Sequence, residues 1–179
     1  MIEIEKKWLL VENNLNYFTS YTIDILKSKN ENITEDSIYD YVKKNGEYIE
    51  QYYITSKELR DAISFNFEIP IEEDSEIRLR FRNKKCFLTI KKGNGYERIE
   101  INHEIDYHQA IFFKQKDNVV KKYRLVIPYE ERKFEFDAYA NMKLLICECE
   151  VESVKELDDL PVLGVDVTND VKYKNINLI

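Results

Sequence analysis

In the stretch Glu76-Ile77-Arg78-Leu79-Arg80-Phe81-Arg82 every second residue is charged, and after the first all the charges are arginine. Side chains on a strand alternate between its two faces, so residues i, i+2 and i+4 share one. The same alternation recurs along the chain. Glu3, Glu5 and Lys7 share a face in the first segment, and Thr89 and Lys91 share one in Phe87-Leu88-Thr89-Ile90-Lys91. Arg98 with Glu100, Lys122 with Arg124, and Glu135 with Asp137 repeat it. Glu148, Glu150 and Glu152 alternate with Cys147, Cys149 and Val151. A chain written this way folds into strands with one polar face.

Two readings of that face stand side by side. A sheet with one face on a core and the other in water explains the alternation. It does not explain the sorting by sign, because a solvated face usually mixes lysine with glutamate. Two carboxylates about 4 Å apart repel by about 4 kcal/mol at an effective dielectric near 20. Something must offset that cost, and a hard divalent cation on oxygen ligands is the simplest candidate. The arginines and lysines then call for an anion, and a guanidinium matches phosphate with a bidentate fork. Closing the sheet into a barrel would turn the polar face into a polar lumen holding both.

The strands are predicted at residues 2–10, 47–55, 76–82, 86–92, 97–105, 119–128, 133–139 and 144–152. Asn83-Lys84 and Gly93-Asn94-Gly95 mark hairpin turns. Helical spacing is predicted over 15–29 and 107–116. A second helix spans 34–44, with Thr34 as N-cap and Gly46 ending it. Residues 56–75 read as a mixed insertion, and 155–163 as a short helix or turn. Consecutive hairpin-linked strands argue for an antiparallel sheet or barrel with added helices. A chain of 179 residues is expected to form one domain, 1–179.

Composition removes several classes. The net charge of −7 disfavours nucleic acid as a partner. The longest apolar runs, such as Trp8-Leu9-Leu10-Val11, are too short to span a membrane. Four glycines disfavour a P-loop or dinucleotide-binding turn. Three cysteines and no visible signal peptide lead us to expect free thiols and a cytoplasmic location. Cys147-x-Cys149 lacks a second pair for zinc, and both side chains should point away from Glu148 into an apolar layer. His103 and His108 belong to no serine constellation. Trp8 and the tyrosines are expected in exterior packing, and an aromatic-rich exterior is compatible with a homodimer.

Glu3-x-Glu5-x-Lys7 resembles the N-terminal signature of the CYTH superfamily, the triphosphate tunnel metalloenzymes. Further segments match in order: Glu76-x-Arg78-x-Arg80, Leu88-Thr89-Ile90-Lys91, Arg98-x-Glu100, Lys122-x-Arg124, Glu135-x-Asp137 and Glu148-x-Glu150. The tail, Val167-Thr168-Asn169-Asp170 with Tyr173-Lys174-Asn175, is also similar. The resemblance implies a mainly β, α+β fold: an eight-stranded antiparallel β-barrel tunnel with helices packed outside. It implies hydrolysis of a triphosphate with Mg²⁺ or Mn²⁺, inorganic tripolyphosphate first. The alternatives are a class IV adenylate cyclase, a thiamine triphosphatase, or a non-catalytic polyphosphate- or nucleotide-binding module.

By the same resemblance Glu3, Glu5, Glu148 and Glu150 hold metal, with Asp137 close enough to assist. Lys7, Arg78, Arg80, Lys91, Arg98, Lys122 and Arg124 hold the triphosphate. Glu3, Glu5, Lys7, Glu148 and Glu150 form the catalytic set, while Glu100 and Glu135 line the same lumen. Asn102 stands where many relatives carry an acid. Lys174 reads as a plain surface lysine, with a phosphate contact as the alternative, and Tyr173 shares that alternative.

Overall fold

Eight strands close on themselves. The computed structural model describes all 179 residues and orders them as β1 (Ile2–Glu12), β2 (Leu15–Asn16), α1 (Ser20–Lys27), α2 (Ile38–Asn45), β3 (Glu47–Tyr53), α3 (Lys57–Phe67), β4 (Glu76–Arg82), β5 (Lys85–Lys92), β6 (Glu97–Ile105), α4 (Tyr107–Ala110), β7 (Val119–Tyr129), β8 (Arg132–Tyr139), β9 (Leu144–Val151), α5 (Val154–Leu157) and β10 (Val165–Asp166). The circuit runs β1-β6-β5-β4-β3-β7-β8-β9 and returns to β1, with every pairing antiparallel. The alternating strands therefore enclose a lumen, and the solvated-face reading is set aside.

Turn chemistry pins the register. Asn83 and Lys84 both take positive φ, as the two-residue hairpin between β4 and β5 requires. Glu130 and Glu131 do the same between β7 and β8.

β1 is the seam strand. It pairs with β9 from Ile4 to Glu12, with β6 only at Ile2–Ile4, and with β10 at Trp8 and Leu9. Between the last two pairings the C-terminal segment bridges the gap: Lys7 N donates to Thr168 Oγ1 at 3.0 Å, and Val167 N donates to Lys7 O. Gly164 enters this seam so closely that a Cβ there would lie 2.3 Å from Leu9 O.

Three apolar clusters frame the barrel. Outward residues of β1, β8 and β9 (Trp8, Leu10, Phe134, Phe136, Cys147, Cys149) pack under Ile23 and Leu26 of α1 and Ile38 and Val42 of α2. Outward residues of β4 and β5 (Ile77, Leu79, Cys86, Leu88) pack under Ile63 of α3. Each fully buried side chain of this kind contributes about 1.5–3 kcal/mol. The third cluster is inward: Leu9, Tyr53, Val120, Tyr139, Leu144 and Ile146, joined by Tyr173. It fills one end of the lumen, so the charged residues occupy the remaining part. All three cysteines are free and buried.

Some elements differ from the expectation. Residues 15–29 do not form one helix, because Leu15-Asn16 folds back to pair with Val11-Glu12 and α1 begins at Ser20. Thr34 does cap, but it starts a short 3-10 turn (Glu35–Ser37), and α2 follows. The mixed insertion holds a helix, α3, with the Ser56 side chain accepting from Leu59 N. Residues 107–116 form only one α turn followed by a 3-10 turn at Ile111–Phe113. No helix is long and apolar enough to cross a membrane.

Candidate active site

Strand parity delivers the charged side chains to one cavity. Glu3, Glu5, Lys7, Arg78, Arg80, Lys91, Arg98, Glu100, Arg124, Glu135, Glu148 and Glu150 all line it. Glu76, Tyr53, Lys174 and Asn175 complete its wall. The space is about 700 Å³ including its mouth, a size that suits a small ligand. Of 16 lining residues only one, Tyr53, is apolar, so there is almost no surface on which a flat organic ring could stack.

The acids crowd together. Glu5 lies directly opposite Glu150 across the β1–β9 ladder, and Glu135 lies opposite Glu148 across β8–β9. Like charges so opposed are destabilising. Burial and then the neighbouring Glu5 push the Glu3 carboxyl up to about 7, although Lys91 and Arg98 pull the other way. Burial, then Glu100, Glu5 and Glu135, raise Glu150 as well.

The bases reach across to the acids. Lys91 Nζ sits 2.9 Å from Glu3 Oε2 and 2.7 Å from Glu100 Oε2. Arg98 Nη2 bridges Glu3 at 3.2 Å and Glu5 at 2.5 Å. Lys7 Nζ lies 3.1 Å from Glu148 Oε1, and Arg124 Nη2 lies 2.9 Å from Glu148 Oε2. Burial alone would raise Glu148, but Lys7 and Arg124 outweigh it and hold the carboxyl well below its usual value. No three acid, histidine or cysteine side chains converge in metal-ligating geometry.

Two guanidiniums behave differently. Arg78 is 5% exposed and its neighbour on the same face, Arg80, is partly buried, yet neither is in an ion pair. Arg78 Nε has no hydrogen-bond partner at all. Arg80 finds only the Gln51 amide oxygen, at 3.1 and 3.2 Å in the amide orientation that satisfies both groups. Burial, then Arg78 and Arg124, depress Arg80 to about 9. Buried cations without counter-charge are costly, so this wall is built to receive an anion.

The donor set suits a hard divalent cation. It is oxygen-only, and Glu150 is exposed at the mouth without an ion-pair partner, facing Glu5. Two residues do not sit where the resemblance implies. Asp137 and Lys122 lie outside the cavity wall and are bonded to each other at 2.7 Å with side chains 0% exposed. The third alternating position of β6, Asn102, hydrogen-bonds Thr89 Oγ1 and Glu100.

Sequence reasoning also undervalued Lys174. It is no plain surface lysine: it lines the cavity, with Nζ 3.0 Å from Asn94 Oδ1 and 3.6 Å from Glu76 Oε2. Its approach depends on the seam-crossing segment, which no strand pattern announces. Tyr173 instead turns into the inner apolar cluster and donates to Glu12. Glu76 carried a signal, being the first member of the alternating Glu-x-Arg-x-Arg. Asn175 carried only its place in the tail resemblance, and Tyr53 carried none.

No protein-family model matches the chain, and no curated protein matches it in sequence. Solved structures do. The inorganic triphosphatase NE1496 superposes with a TM-score of 0.52 at 20% identity, covering 98% of this chain and 93% of that one. A protein from Bacillus halodurans provisionally assigned as an adenylate cyclase (bh2851) gives a TM-score of 0.52 at 16% identity, over 88% of this chain and 84% of that one. The chain shares its fold, an eight-stranded antiparallel β-barrel, with both.

Proposed function

We propose that the chain hydrolyses a triphosphate in the lumen with Mg²⁺ or Mn²⁺, and that inorganic tripolyphosphate is the substrate. The observation that carries the reading is the pair Arg78 and Arg80: the first buried and the second partly buried on the same face, both facing the lumen, neither with a carboxylate partner. They face a wall of acids that repel one another. One wall asks for an anion and the other for a cation. NE1496, of the same fold, is an inorganic triphosphatase. A nucleoside or thiamine triphosphate would bring a ring to a cavity with one apolar lining residue, so the inorganic substrate fits better.

Phosphoryl transfer needs positioning and charge neutralisation more than covalent help. A divalent cation held by Glu3, Glu5, Glu148 and Glu150 would neutralise phosphate charge and polarise the phosphoryl group. Arg78, Arg80, Lys91 and Arg98 would grip the phosphates with charge-assisted hydrogen bonds and absorb charge developing on the departing pyrophosphate. Lys7 and Arg124 would exchange part of their hold on Glu148 for the substrate. Water supplies the attacking oxygen, and no thiol is needed: the cysteines are buried away from the lumen.

The test is phosphate release from tripolyphosphate with Mg²⁺ or Mn²⁺, beside ATP and an EDTA blank. EDTA-sensitive release favouring tripolyphosphate is expected. Tight binding without turnover would replace the enzyme by a polyphosphate-binding module, and release from ATP alone would replace the substrate.

A further inference from the structure

The family resemblance gives Asp137 to the metal and Lys122 to the phosphate, but the structure gives both carboxylate oxygens of Asp137 other work. Lys122 Nζ donates to Oδ2 at 2.7 Å, Arg124 Nε donates to Oδ1 at 2.7 Å, and Arg124 Nη2 donates to Oδ2 at 2.7 Å. All three are charge-assisted, and the Asp137 and Lys122 side chains are sealed from solvent. A cation could reach Asp137 only by evicting one of these donors from a dry site, which leaves a buried charge unpaired.

The remaining donors of Arg124 point the other way. Nη1 meets Glu135 at 2.5 Å, and Nη2 also meets Glu148 at 2.9 Å. Arg124 is thus clamped at its rear edge by Asp137 and presents its front edge to the lumen. Lys122 completes the rear clamp: its Nζ donates to Oδ2 and lies 5.7 Å from the centre of the Tyr139 ring, so turning the carboxylate away from Arg124 would also break the Lys122 bond. We infer that Asp137, backed by Lys122, is a positioning residue that aims the Arg124 guanidinium into the cavity, and is not a metal ligand. The inference rests on the triphosphatase reading for the role of Arg124, while the clamp itself is independent of it.

The experiment compares the full chain with Asp137→Asn, Lys122→Met and Glu150→Gln. Mn²⁺ affinity is read from the free-ion electron paramagnetic resonance signal, and tripolyphosphate affinity by calorimetry in EDTA. The exchange protection of the Arg124 Nε–H is read by NMR. Asp137→Asn is expected to keep wild-type Mn²⁺ affinity, to lose the Nε–H protection, and to weaken tripolyphosphate binding by about 10- to 100-fold, the scale of a misplaced binding group. Glu150→Gln should do the reverse, weakening Mn²⁺ binding by about tenfold or more and leaving Nε–H protected. If Asp137→Asn does not fold, Lys122→Met carries the test, with partial loss of protection and unchanged Mn²⁺ affinity. A fall in Mn²⁺ affinity for Asp137→Asn matching that of Glu150→Gln, with protection retained, overturns the inference. Should the wild type bind neither Mn²⁺ nor tripolyphosphate, the functional reading fails, and the Nε–H protection still decides the clamp.

Discussion

Glu5 and Glu150 face each other across neighbouring strands, and Glu150 has no ion-pair partner. Such a pair costs stability until a cation arrives. Glu150→Gln should therefore stabilise the metal-free protein by about 0.5–1 kcal/mol, or about 1–4 °C in Tm. In saturating Mn²⁺ the order should invert, because the wild type binds the ion more tightly and gains more binding energy. Thermal melts in EDTA and in Mn²⁺ check both halves; an unchanged order in Mn²⁺ would remove Glu150 from the metal set.

Arg80 offers the complementary case. Its partly buried charge lies near Arg78 and Arg124, and desolvation, then those two neighbours, depress it to about 9. Arg80→Met should leave stability unchanged or raise it, since it removes a repelled charge and keeps much of the stem volume. Tripolyphosphate affinity should fall by about 1.5–3 kcal/mol, the worth of a charged hydrogen bond. Chemical denaturation and substrate KM together separate this from simple damage to the fold.

The pH dependence has a stated sign. Glu3 titrates near 7 in the folded chain against 4.5 as the unperturbed value, chiefly through burial and then Glu5. Between those values the folded state holds more protons than the unfolded state, so stability falls as pH rises through this window. The size is about 3–4 kcal/mol, at about 1.4 kcal/mol per pH unit. Glu100 moves oppositely: Lys91 overrides burial and brings it to about 2, so its contribution is lost as pH falls from about 4.5 toward 2. Metal-free protein should thus melt highest near pH 5. Glu3→Gln should flatten the decline between pH 5 and 7, measured by melts in EDTA; an equally steep decline in that variant would rule Glu3 out as its source.

Gly164 is the sharpest steric constraint. A methyl group there meets Leu9 O at 2.3 Å and the Leu10 side chain at 3.0 Å, and neither backbone nor core can yield cheaply. Gly164→Ala should cost about 1–3 kcal/mol by urea denaturation. It should also loosen the segment that carries Lys174, visible as faster proteolysis between residues 160 and 175.

Much of the barrel was legible because a period of two survives in sequence whatever surrounds it. Arg78 and Arg80, or Glu148 and Glu150, share a face as soon as they belong to a strand. The sorting of charge by sign set a lumen beside a wet surface as equal readings, and closure of β1 on β9 decided between them. Helix α3 was not legible: only Ile63 of its 11 residues is fully buried, so no apolar stripe marks it. The split at Leu15 was hidden because a two-residue strand has no periodicity of its own. Within the site, alternation told which side chains face inward but not which would be consumed by ion pairs. Asp137 and Glu148 have the same parity, and only their different depth in the barrel separates a sealed carboxylate from one on the cavity wall. Lys174 was undervalued because its position depends on hydrogen bonds between Lys7 and residues 167 and 168, some 160 positions away in the chain.

The seam at β1 has a consequence for how the protein is made. Glu3 and Glu5 find their ion-pair partners at Lys91 and Arg98, and Lys7 finds its own at Glu148 and in the strap at 167–168. A ribosome therefore exports the first strand long before its two flanking edges exist. Closure over such a sequence distance pays its loop entropy late, so ring closure should be the slow step of folding. Until it occurs, β1 is an unpaired edge carrying Trp8, Leu9 and Leu10, the kind of strand that chaperones shield and that aggregates when they do not.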